Sequence, residues 1–127
     1  MSENPVITSY IVEFGVDLDG QRVDPEWIEG QIVAWMERGG FVTAMFQGNP
    51  VAVCEYWQAD GRGIRGTVRS LDHETSERIR AGLYKGLGVG IAKARVTKDE
   101  VAPNGVIDGG TVTAVSLLDE PMRYDEP

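Results

Sequence analysis

Apolar residues fall along this chain in short dense runs separated by turn-forming residues, each run about the length of one strand or one helix. From Val6 to Phe14 the β-forming residues Val6, Ile7, Tyr10, Ile11, Val12 and Phe14 dominate, which predicts a strand buried on at least one face. Gly15 to Val23 is polar, and Asp17, Asp19 and Gly20 predict a turn-rich loop tip. It is not an EF-hand, because the ligand spacing and the closing Glu do not follow. Asp24-Pro25 is a strong helix start: Asp can cap free amides, and Pro sits in the first turn without losing a needed donor. Trp27, Ile28, Ile32, Trp35 and Met36 then repeat at helical spacing, so the helix is predicted to run to about Arg38. Gly39-Gly40 allows a left-handed exit.

Beyond it, Phe41 to Phe46 and Val51 to Trp57 predict two antiparallel strands joined by a hairpin tip at Gln47-Gly48-Asn49-Pro50. Ala59 to Gly63 reads as a second turn, leading into a half-exposed strand from Ile64 to Leu71. Asp72 can cap a second helix reaching about Ala81, with Glu74 in its first turn and Gly82 to end it. Val89 to Val96 and Thr111 to Leu118 predict further strands, with turns at Pro103-Asn104-Gly105 and Asp108-Gly109-Gly110. Residues 119–127 read as a polar, extended tail. There is no internal repeat and no low-complexity stretch. The expected class is α+β, mostly β: a sheet or small barrel of about six or seven strands with two helices packed on it.

Composition narrows the picture. The 127 residues suit a single domain, and 42% apolar content supplies a core. Sixteen glycines and six prolines agree with many tight turns. A net charge of −8 argues against nucleic-acid binding, which needs clustered Lys and Arg. No apolar run approaches the roughly 20 residues of a membrane span, and Met-Ser-Glu-Asn-Pro does not open like a signal peptide, so a cytoplasmically made, soluble protein is expected. Cys54, alone of its kind, lies in an apolar run and is expected to be a buried thiol. One histidine, His73, and no Cys/His cluster lead to the expectation of no metal and no cofactor.

Several segments together resemble the prohead, or capsid maturation, serine protease family of HK97-type tailed phages. Asp17-Leu18-Asp19-Gly20-Gln21-Arg22-Val23-Asp24-Pro25-Glu26-Trp27 is similar to that family's approach to its first helix, and Trp35-Met36-Glu37-Arg38-Gly39-Gly40 to the end of it. Ala81-Gly82-Leu83-Tyr84-Lys85-Gly86-Leu87-Gly88-Val89-Gly90-Ile91 resembles the segment bearing the nucleophile. Gly110 to Pro121 resembles the closing strand with its Val-Ser-Leu pattern. The resemblance spans nearly the whole chain. It implies a herpesvirus-protease-like fold, a small antiparallel barrel with two flanking helices, over one domain at 1–127 with short polar termini at 1–5 and 119–127.

The same resemblance places the family's chemistry at positions that lack it here. Its base is the His of a Met-His pair, and the matching pair is Met45-Phe46. Its nucleophile precedes Val-Gly-Ile, and the matching residue is Gly88. The acidic residue before Val-Ser-Leu, taken as the third catalytic member, is Ala114. A serine protease needs all three functions, so no proteolysis is expected. His73, Ser70, Ser116 and Cys54 are poor substitutes: the histidine lies at a helix start, Ser116 belongs to the structural Val-Ser-Leu pattern, Ser70 has no identifiable partner and Cys54 is in the core. Lys85 and Lys93 flank Gly88, but no serine lies between them to activate.

The implied role is a structural protein of the phage head, made in the host cytoplasm and residing in the virion. It would decorate or stabilise the shell by binding the major capsid protein, with self-association, for instance as a trimer. The alternatives are an assembly chaperone or scaffold and an active protease with a rebuilt site. Loops on a rigid barrel can vary without disturbing its core, so Asp17, Asp19, Gln47 and Asn49 are the candidate capsid contacts.

Overall fold

The structure is a computed structural model that describes residues 4–120. Over them the chain forms β1 (Val6–Glu13), β2 (Arg22–Val23), α1 (Pro25–Glu37), β3 (Phe41–Ala44), β4 (Gln47–Ala59), β5 (Gly63–Ser70), α2 (His73–Arg80), β6 (Gly86–Thr97) and β7 (Val106–Leu118). The strands join in the order β1-β5-β4-β3-β7-β2, with β6 also paired to β7. At the far end of the sheet β1 comes back to lie against β6 without a ladder between them among the described residues. The sheet therefore curls into a half-barrel, mostly β with two helices.

β7 organises the sheet. One edge pairs antiparallel with β6 along nearly its whole length. The other edge takes two strands in parallel, β2 at Val106 and Ile107 and β3 from Val115 to Leu117. Between them β7 has no strand neighbour on that edge, and α1 crosses there. Gln31 Oε1 accepts from the Val112 N–H at 3.0 Å, and Arg38 Nη2 donates to the Val112 carbonyl at 2.8 Å. One side chain of the helix and one of its C-cap thus satisfy backbone groups that a strand would otherwise pair, which a buried residue requires.

α1 forms as its sequence predicts. Asp24 caps it by accepting from the Trp27 N–H at 2.9 Å, Pro25 occupies the first turn, and Gly39 and Gly40 leave it at φ +120° and +63°. Ile28, Ile32 and Trp35 are buried, with Trp27 and Met36 packed against them. They meet Val42, Val112, Val115, Leu117, Ile64 and Val68 in one core, where each large aliphatic side chain contributes about 2 kcal/mol. α2 is capped by Asp72, which accepts from the Thr75 N–H at 2.7 Å, and Gly82 follows it at φ +73°.

Two expected turns are misplaced. The β3–β4 reversal occurs at Met45-Phe46, and Gln47 and Asn49, expected at the hairpin tip, begin β4 instead. Register explains the shift: Ala44 pairs with Gln47 but Val42 with Ala52, so Gly48, Asn49 and Pro50 form an exposed bulge, where a proline without an N–H is tolerated. Asp108-Gly109-Gly110 likewise lies within β7, with Gly110 at φ +110° opposite an irregularity in β6. The polar loop from Gly15 contains the short strand β2, and β2 and β3 run parallel to β7 in a sheet whose other pairings are antiparallel. Of the expected extended tail, residues 121–127 lie outside the described ones.

The β6–β7 connection is tied to β2 by Arg22. Its guanidinium grips Asp99 in a two-point ion pair, Nε to Oδ2 at 2.8 Å and Nη2 to Oδ1 at 2.9 Å. Asp99 also accepts from the Ala102 and Val101 N–H groups. The Arg22 hydrogen bond, with these amides, holds the Asp99 carboxyl well below the usual carboxylate range. A depressed folded-state pKa stabilises above the unfolded value of about 3.9 and is lost as pH falls through the folded value. Asp99→Asn is therefore expected to lower Tm at pH 7, and the gap from wild type should shrink steadily below about pH 4. Melting curves of both proteins across that range check it; a gap that stays constant would rule out the charge as the cause.

Candidate functional site

Positions 46, 88 and 114 lie far apart in sequence and come together on the outer face of β6 and β7. Leu87 and Val89 pack toward the core, so strand alternation sends Gly88 and Gly90 outward. On β7, Val115 and Leu117 face the core while Ala114, Ser116 and Leu118 share the outer face. Gly88 pairs with Ser116 and Gly90 with Ala114.

Phe46 lies over this face. A Cβ placed on Gly88 would stand 3.4 Å from Phe46 Cζ and 2.8 Å from Leu118 Cδ1. One on Gly90 would stand 3.5 Å from Phe46 Cε1 and 3.7 Å from Ala114 Cβ. A side chain at 88 would thus touch the tip of the side chain at 46, the contact that a nucleophile and its base require. What occupies the site is a half-exposed aromatic ring on a glycine floor, beside a methyl group.

The backbone delivers Phe46 at a cost. Met45 and Phe46 have φ of +51° and +57°, the signs a two-residue hairpin turn needs and bulky residues disfavour, by roughly 1–2 kcal/mol each. Hydrogen bonds from β7 hold them there. The Met45 N–H donates to the Leu117 carbonyl at 2.9 Å and the Phe46 N–H to Ser116 Oγ at 2.8 Å. Thr43 Oγ1 adds a hydrogen bond to the same hydroxyl at 3.2 Å. Ser116 is fully buried, so Ser116→Ala should leave two donors unpaired and cost about 2 kcal/mol. The expected signature is lower stability in denaturant together with faster amide exchange at Phe46; unchanged Phe46 exchange would refute the clamp.

No family model matches this chain, and no curated protein matches it. Among solved structures it is similar to the capsid assembly protease gp21 of bacteriophage T4, with a TM-score of 0.66 and 13% identity over 89% of this chain and 80% of that one. The chain has a phage capsid protease-like fold. It is the mostly β architecture with two helices that the sequence motifs imply, reached at an identity where the fold is what the likeness carries.

In this capsid protease-like fold the remaining candidates lie elsewhere or do structural work. Cys54 is buried and free, donates to the Tyr56 carbonyl, and has its thiol pKa pushed up by burial. Ser70 is buried, its hydroxyl donating to the Asp72 carbonyl at 2.9 Å and accepting from Ser76 Oγ at 2.8 Å. His73 opens α2 at the surface, bordering a recess with Glu77, Arg78 and Leu83. Lys85 precedes β6 and Lys93 sits in its bulge at φ +55°. Asp17 is engaged in its own loop, accepting from the Asp19 and Gln21 N–H groups. Sequence reasoning missed Gly90 as the second half of the floor and Ser116 as the clamp. The alternation Gly86-x-Gly88-x-Gly90 was the readable sign of the first; nothing local announced the second.

No helix among the described residues is long and apolar enough to cross a membrane, and none of their His, Cys, Asp and Glu side chains gather into a metal-binding group.

Proposed function

We propose that this chain is a non-enzymatic structural protein of a phage head that binds the capsid shell without cleaving it. One observation carries the reading: positions 46, 88 and 114 meet at a single place on the half-barrel, and the residues there are Phe46, Gly88 and Ala114. A phenyl ring cannot accept a proton, glycine offers no nucleophile and alanine no charge to orient a base. A surface that once recognised capsid protein can persist as a binding surface after the chemistry is gone. The likeness to a capsid assembly protease supports the major capsid protein as partner and the virion as location. Exposed Gln47 at the start of β4, Asn49 in the bulge after it, and the loop at Asp17 and Asp19 are the first contacts to probe.

Two measurements test this. Purified protein incubated with capsid precursor should leave it intact, and gels of purified mature particles should show the chain in high copy. Cleavage would overturn the reading in favour of an active protease. Presence in procapsids but not in mature particles would favour a scaffold.

A further inference from the structure

Positive charge on this acidic chain is distributed unevenly. Arg22, Arg62, Arg69, Arg78, Arg80 and Arg95 are held in ion pairs, Arg38 binds a backbone carbonyl, and Arg65 lies over the Tyr10 ring. Lys85, Lys93 and Lys98 are the only lysines in the sequence, and no ion pair engages them among the described residues. All three lie on or next to β6. Lys93 and Lys98 flank Val96, which is 47% exposed on the outer half of this strand.

The complementary face is on α1. Its solvent stripe consists of Glu26, Glu29, Val33 and Glu37, opposite the buried Ile28, Ile32 and Trp35. None of these carboxylates is in an ion pair among the described residues. Val33 is 41% exposed in the middle of the stripe. Both faces therefore have an exposed valine between charges, positive on one and negative on the other, the apolar centre and polar rim of an interface. Their lengths agree: Lys93 to Lys98 spans roughly 15 Å at strand rise, and Glu26 to Glu37 roughly 16 Å at helical rise.

We propose that copies of this chain associate head to tail, the outer half of β6 in one copy lying along the acidic face of α1 in the next. The two faces are different patches of the same chain, so the contact is heterologous and builds a ring or an open row. The net charge of −8 opposes approach at a distance, but about 0.1 M salt limits that repulsion to roughly 10 Å while leaving close pairs in place. Glu100 follows Lys98 and weakens the positive end, so Glu100→Lys should tighten the contact.

The test is light scattering on size-fractionated full-length protein at about 0.1 M salt. Wild-type mass should rise with concentration. Lys93→Glu/Lys98→Glu has two acidic faces and Glu26→Lys/Glu29→Lys two basic ones. Each is expected to weaken self-association at least about tenfold, since like charges then meet, while an equal mixture of the two recovers it. Circular dichroism checks that both variants stay folded. A wild type that remains monomeric at every concentration overturns the proposal. So does association that survives either reversal, or a mixture of folded variants that stays monomeric. None of these results depends on capsid binding or proteolysis.

Discussion

A Trp35→Ala protein is expected to be less stable by about 4 kcal/mol and to melt roughly 10–20 °C lower than wild type. Trp35 is 4% exposed and sits where α1 meets the sheet. Truncation removes the largest core side chain of the helix and leaves a cavity between α1 and the strands that cannot fully collapse. It also removes a hydrogen bond, since the indole Nε1–H donates to the Phe41 carbonyl at 3.2 Å and so fixes the start of β3. Trp35→Phe keeps most of the apolar contact and loses the donor, so it should cost about 1–2 kcal/mol. Denaturant titration of the three proteins measures both differences. A loss below 2 kcal/mol for the alanine variant would mean that α1 is not what seals this side of the half-barrel.

Gly63→Ala should be nearly as damaging for a different reason. A Cβ at Gly63 would stand 2.2 Å from the Val12 carbonyl oxygen and 2.8 Å from Glu13 Cα. Both obstacles are backbone, so β1 must move away from β5. That movement would break the pairing of Glu13 with Gly63 and disturb the turn in which Asp60 Oδ1 accepts from the Arg62 and Gly63 N–H groups. A loss of about 3 kcal/mol or more follows from this enforced overpacking. Gly61, two residues away, has nothing within 4 Å of its ideal Cβ, and Gly61→Ala should change stability by no more than about 0.5 kcal/mol. Because β1 also lies against β6, hydrogen exchange in the Gly63 variant should quicken first in β1 and then in the glycine floor of the site. Equal tolerance of alanine at 61 and 63 would contradict the close approach.

The elements legible in the sequence were those that local forces specify. α1 follows from the Asp24 cap, Pro25, the stripe of Ile28, Ile32 and Trp35, and the glycine pair after it. α2 has a weak apolar face, yet the Asp72 cap and Gly82 bound it. The strands were found wherever apolar runs were dense, and misjudged wherever their ends depended on a partner. Gly48-Asn49-Pro50 has the composition of a tight turn, but reversal occurs earlier, because Leu117 and Ser116 capture the Met45 and Phe46 amides. Gly109-Gly110 has it too, yet stays in β7, paired across to Arg95 and its neighbours.

The candidate site divides in the same way. The sequence alone determined which residues stand at 46, 88 and 114, and the motif order that connects them to a capsid protease fold. It also determined the acidic charge and the confinement of the lysines to residues 85–98. Only the tertiary structure decided that these three positions share one face, that Phe46 rests on Gly88 and Gly90, and that Gln31 and Arg38 take the place of a missing strand beside Val112. The reason is range. Caps, helical stripes and apolar runs act over a few residues and can be read in order, whereas the bond from Phe46 to Ser116 joins residues 70 apart in the chain. Such a contact is set by the register of β3 against β7, and register exists only once the sheet has formed.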